Sequence, residues 1–243
     1  MELSIQYGYN IATIRNFLIR NKVKIRSVKE SIKKFHKSIS INIDDFLEEN
    51  IIGWMLGDGG MRLVNHAINP YFTYTDKHED HILHVGNILK KYNIKYNITK
   101  NKISGCYQLQ SETRPEFHKY YSLFYGYNGL NENGQKRKIL PNIRLTPIIL
   151  KNWYIGDGGS SKQNKSYNHR GYIVDKYQND YVLNQLIEIT GSCKCYCDRN
   201  KCYRYHFNNK ALIKLLEYIG ECPVESYKYK WITRCSTTII ETS

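Results

Sequence analysis

The sequence predicts an α+β protein made of two copies of one αββαββα unit, and three observations carry that prediction. Residues 51–59 read IIGWMLGDG and residues 150–158 read LKNWYIGDG, which sets Asp58 and Asp157 99 positions apart. Downstream, Tyr74-Thr75-Asp76-Lys77 recurs as Ile173-Val174-Asp175-Lys176, with Asp76 and Asp175 again 99 positions apart. Similar helical patterns then follow, HILHVGNILKKYNI at 81–94 and DYVLNQLIEITG at 180–191. One Gly-Asp-Gly turn is an ordinary turn. Two landmarks at a single offset point to an internal duplication.

Each element follows from its own pattern. Residues 45–57 carry Phe46, Ile51, Met55 and Leu56 at amphipathic spacing and read as a helix that stops at Gly59-Gly60. Residues 69–75 are aromatic and β-branched and predict a strand. The stretches 61–66 and 160–168 are rich in turn residues, so the first β element of each unit is expected to be one arm of a hairpin. A helix is expected over 78–92, a hairpin from 94–99 and 105–111, and a helix over 115–124. The second unit repeats the order: helix 147–156, strand 170–175, helix 178–190, strands 192–198 and 202–208, helix 209–219. Residues 128–144 begin Gly- and Asn-rich (NGLNENGQKRK at 128–138) and read as a linker between subdomains 41–127 and 145–243.

Composition narrows the function classes. The chain has 243 residues with 36 Lys+Arg against 22 Asp+Glu, a formal net charge of +14. Such a charge favours a polyanionic partner. Apolar runs are too short for a transmembrane helix, and no basic amphipathic helix marks a membrane surface binder. The N-terminus lacks a secretory pattern, and the seven cysteines are odd in number. Both point to a reducing, intracellular setting. Cys193, Cys195 and Cys197 alternate within one strand, which is not the paired spacing of a structural zinc site. Three thiols on a core-facing strand act as small apolar residues. His78, His81 and His84 are expected on a partly exposed helix face.

The first 40 residues stand apart. Gly8 can make a sharp turn, and Asn10 can cap a helix with the stripe Ile11, Ile14 and Leu18. A basic stretch with Lys22, Lys24 and Arg26 follows. The segment is similar to the turn and recognition helix of a helix-turn-helix, with Arg15, Asn16 and Arg20 as candidate DNA contacts.

Asp58 and Asp157 are the candidate chemical groups. Each ends an apolar helix, where the macrodipole is negative and a carboxylate is disfavoured by up to about 1 kcal/mol. A bound divalent cation with hard oxygen ligands would reverse that field at both places. Gly53 and Gly57 lie on one helix face and permit close approach of another backbone; Asn152 and Gly156 hold the matching positions. Two such helices about a pseudo-two-fold axis bring the carboxylates together. A carboxylate pair with bound cations suits phosphodiester hydrolysis, and Mg²⁺ suits an oxygen-only site.

With these residues in view, the two segments resemble the signature helices of a double-motif LAGLIDADG homing endonuclease, over roughly residues 45–235. The resemblance implies two antiparallel β-saddles with the motif helices at their interface. It also implies Mg²⁺, with Mn²⁺ as a substitute, held at Asp58 and Asp157 beside Gly57 and Gly156. Each Asp would serve the cutting of one strand. By the same resemblance, Lys138 in KRKILP (136–141) and Lys230 in YKW (229–231) would orient water or steady a phosphate. One departure is Lys151-Asn152, where the family has small residues, which argues against close helix packing there.

The strands supply an independent reason to expect double-stranded DNA. Asn97 and Thr99 alternate with Ile98, and Gln108 and Gln110 with Tyr107 and Leu109. In the second unit Lys194 alternates with the cysteines, and Arg204 and His206 with Tyr203, Tyr205 and Phe207. Period two places each set on one face, and the polar set suits base edges and phosphates in a major groove. Lys100, Lys102 and Arg199 in the hairpin loops extend that surface. The expected protein is a monomeric, sequence-specific endonuclease. The alternatives are a maturase that binds intron RNA and a DNA-binding regulator that does not cut. The terminal residues carry no intein-splicing signature, so a free-standing or intron-encoded protein is expected.

Overall fold

The structure is a computed structural model that describes residues 10–23, 40–63, 68–126, 138–162, 169–197 and 202–232. Two compact units emerge, one of residues 1–39 and 65–68 and the other of residues 40–64 and 69–243. In the first, helix α1 (Ile11–Arg20) begins at Asn10, whose side chain accepts the Ala12 N–H at 2.9 Å as expected of a cap. Arg15, Asn16 and Arg20 are exposed on it, and Ile14 and Leu18 are half-buried. The remainder of the expected helix-turn-helix, including Gly8, Lys24 and Arg26, lies outside the described residues.

The larger unit repeats one order of elements. Its first half is α2 (Asp45–Leu56), β1 (Gly59–Arg62), β2 (Tyr71–Asp76), α3 (Glu79–Lys91), β3 (Tyr96–Lys100), β4 (Tyr107–Thr113), a 3₁₀ turn (Pro115–Phe117) and α4 (His118–Tyr125). Its second half is α5 (Pro147–Asp157), β5 (Gly158–Lys162), β6 (His169–Asp175), α6 (Asp180–Thr190), β7 (Lys194–Cys197), β8 (Tyr203–Phe207), α7 (Asn209–Ile219) and a 3₁₀ turn (Glu225–Trp231). Two four-stranded antiparallel sheets result, ordered β1-β2-β4-β3 and β5-β6-β8-β7. The αββαββα prediction therefore holds, and β1 pairs with β2 and β5 with β6 as the arms of the expected hairpins. Among the described residues no helix is long and apolar enough to cross a membrane.

The sheets are covered by helices on one face. Leu109, Tyr74 and Phe72 of the first sheet and Ile173, Tyr205 and Phe207 of the second are buried there. Trp54 of α2 packs on Phe72 and Tyr74 with ring centroids 5.6 and 6.4 Å away; its repeat counterpart Trp153 of α5 packs on Tyr205 at 5.8 Å. Each such fully buried side chain contributes about 1.5–3 kcal/mol. The thiol face is only partly as expected. Cys193 is buried and Cys195 packs against the core, but Cys197, the last residue of β7, is exposed.

Helix α2 also departs from its expected amphipathic form, since every residue from Asn50 to Leu56 is buried. The sheet covers one face and α5 covers the other. The two helices cross at their glycines: a Cβ on Gly53 would lie 2.7 Å from Asn152 Cβ, and one on Gly156 would lie 2.9 Å from Gly57 Cα. The close packing that Asn152 argued against is thus present. Gly53 makes room opposite it, and Asn152 Nδ2 donates to Asn50 Oδ1 at 3.0 Å, so its buried amide has a partner. The later part of the linker is packed too, with Leu140 and Ile143 buried.

Candidate active site

Both motif helices deliver an aspartate to the same place. Helix α2 is started by Asp44, which accepts the Leu47 N–H at 2.9 Å, with Asp45 and Glu48 in the first turn. Helix α5 is started by Thr146, with Pro147 at its first position. Neither helix has a basic residue in its last turn. Their carbonyl ends converge where Gly57 and Gly156 touch, so two negative dipole ends and two carboxylates share one region. A cavity of about 510 Å³ opens there, lined by Asp58, Asp157, Asp175, Lys138 and Lys176 among others.

The electrostatics follow from that crowding. Burial raises Asp157 to about 7, with Asp58 adding to the rise and Lys138 opposing it. Burial likewise raises Asp58, helped by the charge on Asp76 and opposed by Lys138 and Lys230. Burial lowers both lysines, Lys230 to about 8, while the aspartates pull them back up. Two acids pushed up and two bases pushed down mark a crowded, partly desolvated site: Lys230 is buried, Asp157 and Lys138 are half-buried, and the Asp58 side chain still reaches solvent, so water moderates its rise.

The two lysines are the missing helix-end cations. Lys138 Nζ donates to the carbonyls of Met55, Gly57 and Gly59 at 2.7, 2.6 and 2.8 Å. Lys230 Nζ donates to the Ile155 carbonyl at 2.5 Å and reaches that of Tyr154 at 3.5 Å; the residue is 6% exposed. Half-buried Lys138 and buried Lys230 thus act as caps on α2 and α5. An ammonium has three protons, and Lys138 spends all three on carbonyls. In this geometry it holds the end of α2. The Gly57 carbonyl, expected beside the metal, is one of its acceptors.

The donor set fits a divalent cation. Burial and neighbouring carboxylates raise Asp58 and Asp157 although Lys138 and Lys230 oppose the rise, and a bound cation would add to that opposing positive charge. Among the described residues no group of three or more His, Cys, Asp or Glu is placed to hold a metal ion. Mg²⁺ is characteristically held by one or two carboxylates, with waters and substrate phosphates completing its shell.

The strand faces are largely as the alternation predicts. Asn97 faces Gln110 across β3–β4, and Thr99 faces Gln108. Lys194 faces His206 across β7–β8, and Tyr196 faces Arg204. Asn97, Thr99, Gln110 and Lys194 are exposed. Lys100 is a correction. It pairs with Tyr107 on the opposite side of the pleat, and its Nζ donates to the Tyr107 hydroxyl at 2.9 Å, so it does not join that face. Lys102 is exposed in the loop; Arg199 lies outside the described residues.

Sequence reasoning missed a histidine. His81 is fully buried, not on an exposed helix face, with Nδ1 2.7 Å from Asp76 Oδ2. The duplication marks Asp76 and Asp175 as landmarks, and the signal available is a histidine in the first turn of α3, five residues after the first of them. Burial by Tyr227, from 146 positions further along than His81, was beyond any local pattern.

Comparison with known proteins agrees with this architecture. The LAGLIDADG DNA endonuclease family matches residues 48–215. The homing endonuclease I-WcaI bound to its DNA recognition sequence superposes with a TM-score of 0.64 at 19% identity, over 88% of this chain and 98% of that one. I-DmoI in complex with DNA and Mn gives 0.50 at 18% identity, over 74% and 98%. I-SmaMI bound to uncleaved DNA in the presence of calcium ions gives 0.53 at 12%, over 77% and 87%. At these identities the likeness is one of fold, and the sequence matches no curated protein. The family match spans more than half of the chain, and this protein belongs to the LAGLIDADG DNA endonuclease family.

Proposed function

We propose that the chain is a sequence-specific homing endonuclease that hydrolyses one phosphodiester in each strand of a long pseudo-palindromic DNA site. The observation that carries this reading is the meeting of Asp58 and Asp157 at the crossing of α2 and α5, on the wall of one cavity. The halves 41–127 and 145–243 would each bind one half-site through the polar face of their sheet. One chain then supplies the two-fold symmetry for which a single-motif protein would need a dimer, and it acts as a monomer. The net charge of +14 favours the backbone of DNA and makes affinity salt-dependent.

Asp58 and Asp157 are the residues that would hold Mg²⁺ or Mn²⁺. When bound, the ion supplies Lewis-acid activation of water and stabilisation of the leaving oxygen. The relatives I-DmoI and I-SmaMI are recorded with Mn and with calcium. Lys138 and Lys230 fix the helix ends that carry the two aspartates. Asn97, Thr99, Gln108, Gln110, Lys194, Arg204 and His206 are the proposed groove-facing residues, and Arg15 and Arg20 of α1 are proposed to add flanking contacts.

The test is incubation with a randomised plasmid library in Mg²⁺ and in Ca²⁺. Site-specific linear product in Mg²⁺ alone supports the reading. Asp58→Asn and Asp157→Asn should each abolish double-strand cutting while DNA binding persists, and full cutting by the double variant refutes the assignment. Intron RNA binding with no cutting of any DNA would favour the maturase instead.

A further inference from the structure

The two halves match in backbone but differ around one pair of carboxylates. Asp175, at the end of β6, accepts the Tyr177 backbone N–H at 2.9 Å and lines the central cavity. Its repeat counterpart Asp76, at the end of β2, is buried. The His78 backbone N–H reaches Asp76 Oδ1 at 2.8 Å, and His81 Nδ1 lies 2.7 Å from Oδ2. The Tyr227 hydroxyl sits 2.9 Å from each oxygen. Burial works to raise Asp76, and the hydrogen bonds from His81 and His78 outweigh it, leaving it lowered and charged. A carboxylate only accepts, so Nδ1 of His81 carries the proton. Position 180, which matches His81 in the repeat, is an exposed aspartate, and among the described residues Asp175 has no equivalent cluster.

Tyr227 belongs to the 3₁₀ turn that also carries Lys230. That turn is fastened to the first half at two points, through Tyr227 on Asp76 and through the Ser226 N–H on Asp80 Oδ2 at 3.0 Å. The Tyr227 ring lies 4.9 Å from Lys230 Nζ, an attractive cation–π contact. Lys230 then caps α5, the helix that ends in Asp157. The resulting chain of contacts runs from His81 through Asp76, Tyr227 and Lys230 to the end of α5. Lys138 caps α2 through three carbonyls and uses no member of that chain.

Resting on the nuclease reading, we propose that His81, Asp76 and Tyr227 are positioning residues that seat Lys230, and that they serve one of the two strand cuts in preference to the other. Tyr227→Phe is the informative variant. It keeps the ring against Lys230 and removes only the hydroxyl on Asp76. The measurement uses a plasmid bearing a site selected from the library, with each strand end-labelled separately, under single-turnover conditions in Mg²⁺. Tyr227→Phe should slow one strand by about tenfold, the worth of a hydrogen bond to a charged group, while the other stays within about twofold. Nicked circles should accumulate, with DNA affinity unchanged. His81→Gln should slow the same strand, and Tyr227→Phe should add nothing in a Lys230→Met background. Tyr92→Phe, which removes a hydroxyl from the surface residue Asp44, should change neither rate.

The ratio of the two rates separates positioning from folding, because loss of folded protein lowers both strands by one factor. Equal slowing of both strands, or no slowing, overturns this inference and leaves the nuclease reading standing. A wild-type protein that cuts no DNA overturns both.

Discussion

Adding one methyl group at Gly156 tests the geometry on which the site depends. In Gly156→Ala the new Cβ would sit 2.9 Å from Gly57 Cα and 3.1 Å from the Asp58 nitrogen. Ordinary carbon contacts fall at about 3.5–4.0 Å, so α2 and α5 must part by roughly half an ångström or more. Both obstructing atoms are backbone and cannot rotate away. Overpacking of this kind costs about 1–3 kcal/mol, and the helix preference of Ala over Gly returns about 0.8–1 kcal/mol. The net destabilisation is up to about 2 kcal/mol, which for a chain of this size lowers the melting temperature by up to about 8 °C. The catalytic effect should be larger, because the displaced atom is the amide of Asp58 itself. A misplacement approaching 1 Å can cost about a hundredfold in rate. The assay is thermal unfolding alongside plasmid cleavage at saturating protein. Gly105→Ala is the control: its φ of +71° strains an alanine, but nothing lies within 4 Å of the new methyl group, so cutting should be unchanged. A Gly156→Ala protein that melts and cuts like the wild type would refute the close crossing and the pairing of aspartates built on it.

Cutting at fixed Mg²⁺ should rise with pH through about 7, because a protonated Asp157 does not ligate a cation, and more Mg²⁺ should move that midpoint downward. The corresponding stability effect has a definite sign. A carboxyl raised in the folded state stabilises fully below its unfolded value of 3.8, and that contribution is lost as pH rises through about 7. Asp157→Asn should therefore melt higher than the wild type at pH 8 in chelator, with the gap shrinking toward pH 4; an equal gap at both would contradict the burial assigned to this group. Lys138→Met should lower stability by about 1–3 kcal/mol, because it leaves three carbonyls at the end of α2 without their donor. Calorimetry or denaturant unfolding measures it, and a neutral result would mean that the cap is not formed in solution.

Much of the fold was legible because its signals are local and repeated. The Gly-Asp-Gly helix ends, the alternation in 202–208 and the offset shared by Asp58/Asp157 and Asp76/Asp175 can each be read from a few neighbouring residues. The aspartate pair and the strand faces follow from that periodicity. Tertiary contact decided how α2 is buried, since an apolar stripe does not state how many neighbours will cover the remaining faces. It also decided the fate of Asn152, because whether a polar residue fits a helix contact depends on what stands opposite, here Gly53 and Asn50. The same holds for the charged groups. Nothing local in KRKILP or YKW marks Lys138 and Lys230 as helix caps; that role exists only once the chain brings them 83 and 75 positions back to the carbonyl ends of the motif helices. His81 reads as exposed until Tyr227 arrives from the far end of the other half. Sequence determined the duplicated elements and which residues each one displays. Desolvation and long-range hydrogen bonding, which exist only once distant segments meet, decided which of those residues became caps, anchors and shifted acids.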